Sequence, residues 1–297
     1  MYKLIIITII IFVSSSCKSE KAKQATALVY GSNQTVGKYI DIDDIKLYYE
    51  VYGEGQPLLL LHGNGSSIVS FSNQIPALSS IYKVYAIDSR AQGRSSDSTQ
   101  ELSYKLMADD IASFIKTLNL SNTNIVGWSD GGNIGIELAL AYPELVNKVV
   151  TIGANYNHDN YLAEVDRFEM EKDDPLIVKT ADWVSINHNS LEKLSNNPSK
   201  LPLIRKKLAR LMEKYPNFTP DSLKKIQTPF LVIASDHDII TIDHTVSLYK
   251  HLPNAYLFIV PNASHLSPAE FPILINGEII RFLDNPYRRI DKYYFLK

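Results

Sequence analysis

The sequence contains very little cysteine, no excess of basic charge and no long apolar run, and each shortage excludes a class of protein. Cys17, the single cysteine among 297 residues, cannot form an internal disulfide or a cysteine-rich metal site. Lys and Arg number 30 against 32 Asp and Glu, so the basic field of a nucleic-acid-binding protein is missing. The apolar run Leu4 to Val13, broken only by Thr8, is far shorter than the ~20 residues of a membrane-spanning helix.

This apolar run is typical of a secretory signal peptide. It follows Lys3 and precedes the small residues Ser14, Ser15 and Ser16, where cleavage is expected. Small residues directly before a lone cysteine resemble a bacterial lipoprotein signal. The resemblance implies a signal peptide of residues 1–16, a lipid on Cys17, and an exported protein anchored to a membrane at the periplasmic face or the cell surface. Export without a lipid, or a buried N-terminal strand, are the alternatives.

Beyond the signal, the composition predicts a tether followed by one α/β domain. Residues 17–37 are polar and small without a clear period, which is typical of a flexible tether. Over residues 38–290, short apolar runs alternate with helical segments, and the central runs end in polar residues. This alternation predicts a mostly parallel sheet flanked by helices, with ligand chemistry at the C-terminal ends of the strands. The apolar runs are Lys38–Asp41, Ile45–Tyr52, Leu58–Leu61, Lys83–Ile87, Asn124–Trp128, Lys148–Ile152, Phe230–Ala234 and Ala255–Val260.

One stretch, about residues 155–225, breaks the alternation. It begins with the acidic segment Asn155–Pro175 and continues with a helical stripe from Ile204 to Tyr215. The pattern predicts a helical lid inserted between two strands of the same domain. Elsewhere the helical period or composition predicts helices over Met107–Leu118, Gly131–Tyr142 and Pro268–Leu283.

A nucleophile is indicated by Gly127-Trp128-Ser129-Asp130-Gly131, which follows an apolar strand and precedes a small-residue helix. This arrangement is typical of a serine presented at a sharp strand-to-helix turn. Side chains two positions before and after the serine would collide, so Gly127 and Gly131 are predicted to support the turn. The helix that begins after Ser129 would also aim backbone N–H groups at the reacting atom.

A serine nucleophile needs a base, and the base needs an acid to orient it. Among seven histidines, His265 follows a late strand and precedes the helix at Pro268, where the chain order serine, acid, histidine places the base. The loop before that strand offers Asp236 and Asp238 as the acid. Spacing alone does not choose between these two carboxylates.

The tetrahedral intermediate of acyl transfer needs two backbone N–H donors, which form an oxyanion hole. One donor is predicted to be the amide of Asp130, directly after the nucleophile. The other is predicted to be the amide of Asn64, in the loop His62-Gly63-Asn64-Gly65 that follows an early strand. Gly63 and Gly65 are expected to let this loop turn, and His62 is expected to support it by a hydrogen bond.

Taken in order, these elements resemble the α/β-hydrolase superfamily. The resemblance implies an eight-stranded sheet, a triad of Ser129, Asp238 and His265, and no cofactor or metal; it therefore favours Asp238 over Asp236. Ala91 replaces the first glycine of the family's Asp-x-Arg-Gly-x-Gly-x-Ser loop, which is expected to be structural. Ser235, Asn262 and Ala263 replace other common glycines. The matching segments are His62–Gly65, Asp88–Ser95, Gly127–Gly132, Asp238 and His265.

These roles predict a hydrolase that cleaves a carboxylic ester, or a similar acyl bond, of a small molecule through an acyl-enzyme. One alternative is an aminopeptidase of the proline-iminopeptidase type, in which acids of the lid would hold the substrate amine. Another is a carbon–carbon bond hydrolase with the same triad. Branches that use an aspartate nucleophile are disfavoured by Ser129. Candidate pocket walls are the aromatic residues Trp128, Tyr156, Tyr161, Phe168 and Trp183.

The lipoprotein interpretation predicts that Cys17 carries the acyl chain. Cells fed a labelled palmitate analogue should incorporate it into the wild-type protein and not into Cys17→Ala, because no other thiol is present. Labelling that is unchanged in Cys17→Ala, or absent from the wild-type protein, would contradict the interpretation.

Overall fold

The computed structural model describes residues 30–158, 174–291 and 295, and it is built around one eight-stranded sheet. The strand order is β1-β2-β4-β3-β5-β6-β7-β8. The pairs β1–β2 and β2–β4 are antiparallel and every other pair is parallel, which confirms the predicted sheet. The strands are β1 (Gly37–Ile42), β2 (Ile45–Tyr52), β3 (Pro57–Leu61), β4 (Lys83–Ile87), β5 (Thr123–Trp128), β6 (Val146–Ile152), β7 (Phe230–His237) and β8 (Ala255–Ser264).

Helices cover both faces of the sheet because its central strands are apolar on both faces. Leu58–Leu61 of β3 and Ile125–Val126 of β5 are fully buried, as expected for parallel strands between two helical layers. The helices are α1 (Ile75–Leu78), α2 (Tyr104–Thr117), α3 (Asp130–Ala141), α4 (Pro175–Leu194), α5 (Leu201–Lys214), α6 (Pro220–Leu223), α7 (Ile242–His251), α8 (Ser267–Glu270) and α9 (Pro272–Asp284), with 3₁₀ turns at Ile68–Phe71, Pro143–Leu145 and Pro198–Lys200.

Helix α3 lies unusually close to the end of strand β3. A Cβ on Gly131 would lie 1.8 Å from the carbonyl oxygen of Leu61, so only glycine permits this approach. The contact sets the first turn of α3 against the loop that follows β3. The predicted nucleophile turn and the predicted oxyanion loop are therefore held side by side by backbone packing.

The predicted single helix over Pro268–Leu283 is wrong, because the chain forms two helices there, α8 and α9. Pro272 interrupts the helix since it lacks the N–H that would bond to the carbonyl four residues earlier. That carbonyl belongs to Pro268, and it accepts a hydrogen bond from Nε2 of Gln74 at 2.8 Å instead. The break allows a sharp bend directly after the loop that holds His265.

Between β6 and β7 the described chain adds helices α4, α5 and α6. Lys207 of α5 fastens this insertion to the rest of the domain: its ammonium group lies 2.9 Å from both carboxylate oxygens of Asp97 and 2.6 Å from the carbonyl of Ser98. Both charged side chains are buried. Most of the acidic segment predicted for the lid, residues 159–173, lies outside the described residues. No helix in the described part of the chain has the length and apolar character to cross a membrane.

The folded part of the chain begins earlier than the predicted tether allowed. The buried Glu50 carboxylate accepts the backbone N–H groups of Gly31 and Asn33 at 2.9 and 2.8 Å. It also accepts the hydroxyl groups of Tyr48 and Tyr52. A buried carboxylate requires such donors, and the tertiary fold brings two of them from the segment that the sequence assigned to the tether.

The loop after β4 is organised by Asp88, in line with its expected structural role. Its buried carboxylate accepts the backbone N–H groups of Ile68 and Arg94, each at 2.8 Å. Burial raises the pKa of Asp88 to about 7, although these hydrogen bonds oppose the shift. Ala91, which replaces a glycine of the family pattern, adopts a left-handed backbone with φ 67°.

The close approach at Gly131 predicts opposite effects for two Gly→Ala substitutions in helices. Gly131→Ala should lower the free energy of unfolding by about 3 kcal/mol or more, because its methyl group overlaps a backbone carbonyl. A Cβ added to Gly277 of α9 would meet no atom within 4 Å, so Gly277→Ala should raise it by about 0.5–1 kcal/mol. Urea denaturation measures both; equal effects would contradict the packing described.

Candidate active site

Ser129 stands at the tip of the turn between β5 and α3, in a strained backbone conformation. Its φ is 55° and its ψ is −120°, a region that non-glycine residues rarely occupy. Its N–H donates to the carbonyl of Ile152 at 2.8 Å, and its carbonyl accepts the N–H of Gly132 at 2.8 Å. A Cβ on Gly127 would lie 2.2 Å from the backbone of Gly131. Neither Gly127 nor Gly131 has room for a side chain.

His265 and Asp238 lie together at the ends of β8 and β7. Nδ1 of His265 is 2.7 Å from Oδ1 of Asp238, and Oδ1 also accepts the N–H of Ile240 at 3.1 Å. The Asp238 side chain is 2% exposed and that of His265 is 13% exposed. A carboxylate accepting from Nδ1–H leaves the lone pair of the imidazole on Nε2, the arrangement that a general base requires.

Asp236, the other candidate acid, has a different place. Its carboxylate accepts the backbone N–H groups of Asn262 and Ala263 at 2.9 and 3.1 Å. Partial burial opposes ionisation, but these hydrogen bonds hold the pKa of Asp236 below its usual value. Asp236 therefore shapes the loop before His265, where Asn262 adopts a left-handed backbone with φ 53°.

Ser129 and His265 are neighbours across the end of β6. Gly153 follows Ile152, the residue that bonds to the Ser129 N–H, and a Cβ on Gly153 would lie 2.8 Å from the His265 ring. Nε1 of Trp128 donates to the carbonyl of His265 at 2.9 Å. No hydrogen bond joins the Ser129 hydroxyl to His265 among the described residues; contacts of this kind commonly tighten when a substrate binds.

Sequence reasoning missed the role of Gly153. With φ 62° and the imidazole packed against its α-carbon, Gly153 leaves no room for a side chain. The available signal was its position, since it is the glycine that ends an apolar strand before the lid. That position says nothing about which ring would lie above it, because His265 is more than a hundred residues away in the sequence.

The two predicted oxyanion donors lie in one hydrogen-bonded unit. The backbone hydrogen bonds of the described residues include none donated by the N–H groups of Asn64 and Asp130. The side chains of these residues are joined, since Nδ2 of Asn64 donates to Oδ2 of Asp130 at 2.8 Å. The hydroxyl of Tyr104 donates to Oδ1 of Asp130 at 2.7 Å, and burial raises the pKa of Asp130.

His62 supports the predicted oxyanion loop by hydrogen bonds. Its Nε2 accepts the N–H of Ser89 at 2.9 Å, so Nδ1 carries the proton and donates to the carbonyl of Gly63 at 2.8 Å. Burial lowers the pKa of His62 to about 4, which keeps it neutral at pH 7. Gly63 packs directly against Ser129, since a Cβ at position 63 would lie 3.1 Å from the Ser129 Cβ.

A cavity of about 430 Å³ lies between the oxyanion loop and the lid helices. Trp128 and Trp183 both line it, with their rings 5.5 Å apart in an edge-to-face arrangement. Tyr156 instead stacks on His244, while Tyr161 and Phe168 lie outside the described residues. The remaining lining residues are Asn64, Gly65, Ser66, Val184, Asn187, His188, Leu191, Arg205, Leu208, Ala209, Met212 and Leu266.

In the described part of the chain, no group of three His, Cys, Asp or Glu side chains is arranged to hold a metal ion.

Known proteins resemble the chain over most of its length. A family described as "alpha/beta hydrolase fold" matches residues 56–175. A "Putative carbamate hydrolase RutD" from a Caulobacter species is 30% identical over 260 residues, which cover 80% of this chain and 95% of the relative. An "Uncharacterized hydrolase YugF" from Bacillus subtilis is 28% identical and covers 82% and 96%.

Among solved structures, a meta-cleavage product hydrolase (CumD) from Pseudomonas fluorescens superimposes with a TM-score of 0.67. It is 21% identical, over 85% of this chain and 99% of that chain. At this identity the likeness shows the fold alone. The sheet topology, the family match over residues 56–175 and the RutD relative all indicate the same family. The chain therefore belongs to the α/β-hydrolase family, and it is a hydrolase.

Proposed function

We propose that this enzyme hydrolyses a carboxylic ester, or a similar acyl bond, of a small molecule, with Ser129, His265 and Asp238 as a catalytic triad. The observation that carries the proposal is the 2.7 Å contact between Asp238 and His265, next to a serine on a strained turn. A buried carboxylate bound to Nδ1 both orients the imidazole and stabilises its protonated form. The proposed activity requires both effects.

The proposed mechanism assigns one task to each group. Nε2 of His265 takes the proton of the Ser129 hydroxyl as the oxygen attacks the acyl carbonyl. The N–H groups of Asn64 and Asp130 bind the resulting oxyanion, helped by the N-terminus of α3. His265 then protonates the leaving group, and water repeats the sequence on the acyl-enzyme to release the acid.

A carbamate is the second candidate substrate, because the 30% identical RutD relative bears the name of a carbamate hydrolase. A carbamate carbonyl is attacked by the same serine and binds the same two N–H donors, so the triad does not separate the two classes. The aminopeptidase alternative depends on acids of the lid, and most of its acidic segment, residues 159–173, lies outside the described residues. The carbon–carbon hydrolase alternative uses the same triad and is left to substrate tests.

We also propose that the enzyme is exported and held at a membrane by a lipid on Cys17. The support is the sequence Ser14-Ser15-Ser16-Cys17 after a short apolar run. Gly31 donates a hydrogen bond to Glu50 of the domain, so about 13 residues separate the lipid site from this contact. The tether predicted from the sequence would span about 20 Å over that length, enough to keep the domain next to the membrane surface.

The proposed reaction predicts a clear substrate order. Purified enzyme should hydrolyse p-nitrophenyl esters of graded chain length, or aryl carbamates, faster than aminoacyl-naphthylamides, and a fluorophosphonate should label Ser129. Ser129→Ala should lose the label and lower kcat by about 10⁵-fold or more. Fast turnover of the naphthylamides would favour the aminopeptidase. No turnover together with no labelling would contradict the proposal.

The different contacts of Asp238 and Asp236 predict different effects of two matched substitutions on kcat. Asp238→Asn should lower kcat by about 10⁴-fold, because the amide favours the wrong imidazole tautomer and cannot stabilise imidazolium. Asp236→Asn should lower kcat by less than about tenfold, because Asp236 accepts hydrogen bonds from the backbone of the loop and makes none to His265 among the described residues. Steady-state kinetics on one ester compares them, with the melting temperature as a control for folding. Equal losses would contradict the assignment.

A further inference from the structure

The cavity is lined by Asn64 and by Trp128, the residue directly before Ser129. Its wall is mostly apolar, but a buried polar cluster interrupts it. The cluster consists of Ser66, Ser70 and Asn187, all at least nine-tenths buried. Ser66 and Asn187 line the cavity, whereas Ser70 lies behind them. Ser66 closes a tight turn with Gly63, since its N–H donates to the Gly63 carbonyl at 3.3 Å. The cluster therefore belongs to the oxyanion loop on one side and to lid helix α4 on the other.

The orientation of the Asn187 amide is determined by its neighbours. Nδ2 donates to the carbonyl of Trp183 at 3.2 Å, and a carbonyl can only accept. Oδ1 therefore faces the hydroxyl groups of Ser66 and Ser70, at 2.6 and 2.8 Å. The two hydroxyl oxygens are themselves 2.5 Å apart.

A count of protons shows what the cluster can offer a ligand. Three contacts join the three oxygens, but only two hydroxyl protons are available, because Oδ1 carries none. The two protons occupy two of the three contacts, so both are donated within the cluster whichever two contacts they occupy. Each hydroxyl oxygen has two lone pairs and accepts at most one proton within the cluster, so Ser66 keeps acceptor capacity in every arrangement, while no hydroxyl proton is left to donate. At this point the cavity wall is an acceptor.

A neutral donor fits this acceptor better than a cation does. Arg205 lines the same cavity, and although it pairs with Glu192 its positive charge disfavours a substrate ammonium group nearby. The rest of the wall is largely apolar, including Trp128, Leu208 and Met212. A substrate with an apolar body and one hydroxyl or amide N–H matches the whole surface.

We propose that Ser66, held by Ser70 and Asn187, is the specificity-determining residue of the cavity, and that the enzyme selects substrates carrying a neutral hydroxyl or amide N–H donor. This inference rests on the proposed acyl-bond hydrolysis at Ser129. Ser66 acts by accepting the donor of the substrate and takes no part in the bond-breaking step. The preference therefore appears as a ratio of kcat/KM values between matched substrates.

Two ester series test the proposal, since the donor can lie on either side of the scissile bond. One compares p-nitrophenyl hexanoate with its 6-hydroxy, 6-methoxy and 6-ammonio analogues. The other compares butyl acetate with 4-hydroxybutyl and 4-methoxybutyl acetate, followed by acid release. In one series the hydroxyl ester should exceed the methoxy ether about fivefold to tenfold in kcat/KM, the effect of one hydrogen bond. The ammonio ester should show no such gain.

Substitutions in and near the cluster distinguish the contribution of Ser66 to this ratio from the contributions of its neighbours. Ser66→Ala should bring the hydroxyl-to-methoxy ratio close to one while turnover of the unsubstituted ester continues. Ser70→Ala removes a hydroxyl of the same cluster behind the cavity wall, so it should keep the ratio, as should Ser72→Ala outside the cluster. Asn187→Leu frees one hydroxyl proton, which should lower the ratio and favour the methoxy ether. Melting temperatures establish that each variant is folded.

Distinct results overturn the inference and the proposed function. A ratio of one in both series of the wild-type enzyme, or a ratio that survives in folded Ser66→Ala, overturns the inference alone. A preference for the ammonio ester overturns the assignment of a neutral donor. If no ester or carbamate is hydrolysed, the proposed function fails and the inference fails with it.

Discussion

The backbone of Ser129 is the constraint on which the arrangement of the site depends. Its left-handed conformation costs about 1–3 kcal/mol, and it persists because the surrounding backbone permits no other. The Ser129 N–H is bound to Ile152 of β6, and Gly131 is pressed against the carbonyl of Leu61 in β3. The turn is thus held by the strands on either side of β5. Rigid neighbours let the protein keep a serine in a position that an isolated turn would relax.

The parallel sheet converts this local turn into a site. Strands β3, β5, β6, β7 and β8 are consecutive neighbours in the sheet, and their C-terminal ends meet at one edge. Asn64, Ser129, Gly153, Asp238 and His265 each follow one of these strands. Residues from five distant parts of the sequence therefore converge at this edge, and a neighbouring cavity is lined by Asn64, Trp128 and the lid residue Trp183.

Several contacts in the site depend on side-chain geometry that the spacing of residues along the sequence does not determine. Asp236 and Asp238 are two residues apart, yet one binds loop backbone and the other binds the imidazole. The Asn64–Asp130 side-chain bond joins two residues that were predicted for their backbone amides alone. The cluster of Ser66, Ser70 and Asn187 spans the oxyanion loop and the lid, and no sequence motif marks it.

The sequence by itself determined the eight strands, the strand-to-helix turn at Ser129 and the places of the candidate base and oxyanion loop. It could do so because apolar runs, glycine and chain order are local properties. Only the tertiary structure placed Asp238, rather than Asp236, against His265, split the last helix at Pro272, drew Gly31 onto Glu50 and placed Gly153 beneath His265. These outcomes depend on which buried polar groups and close-packed atoms meet across the fold, and distance along the chain does not encode them.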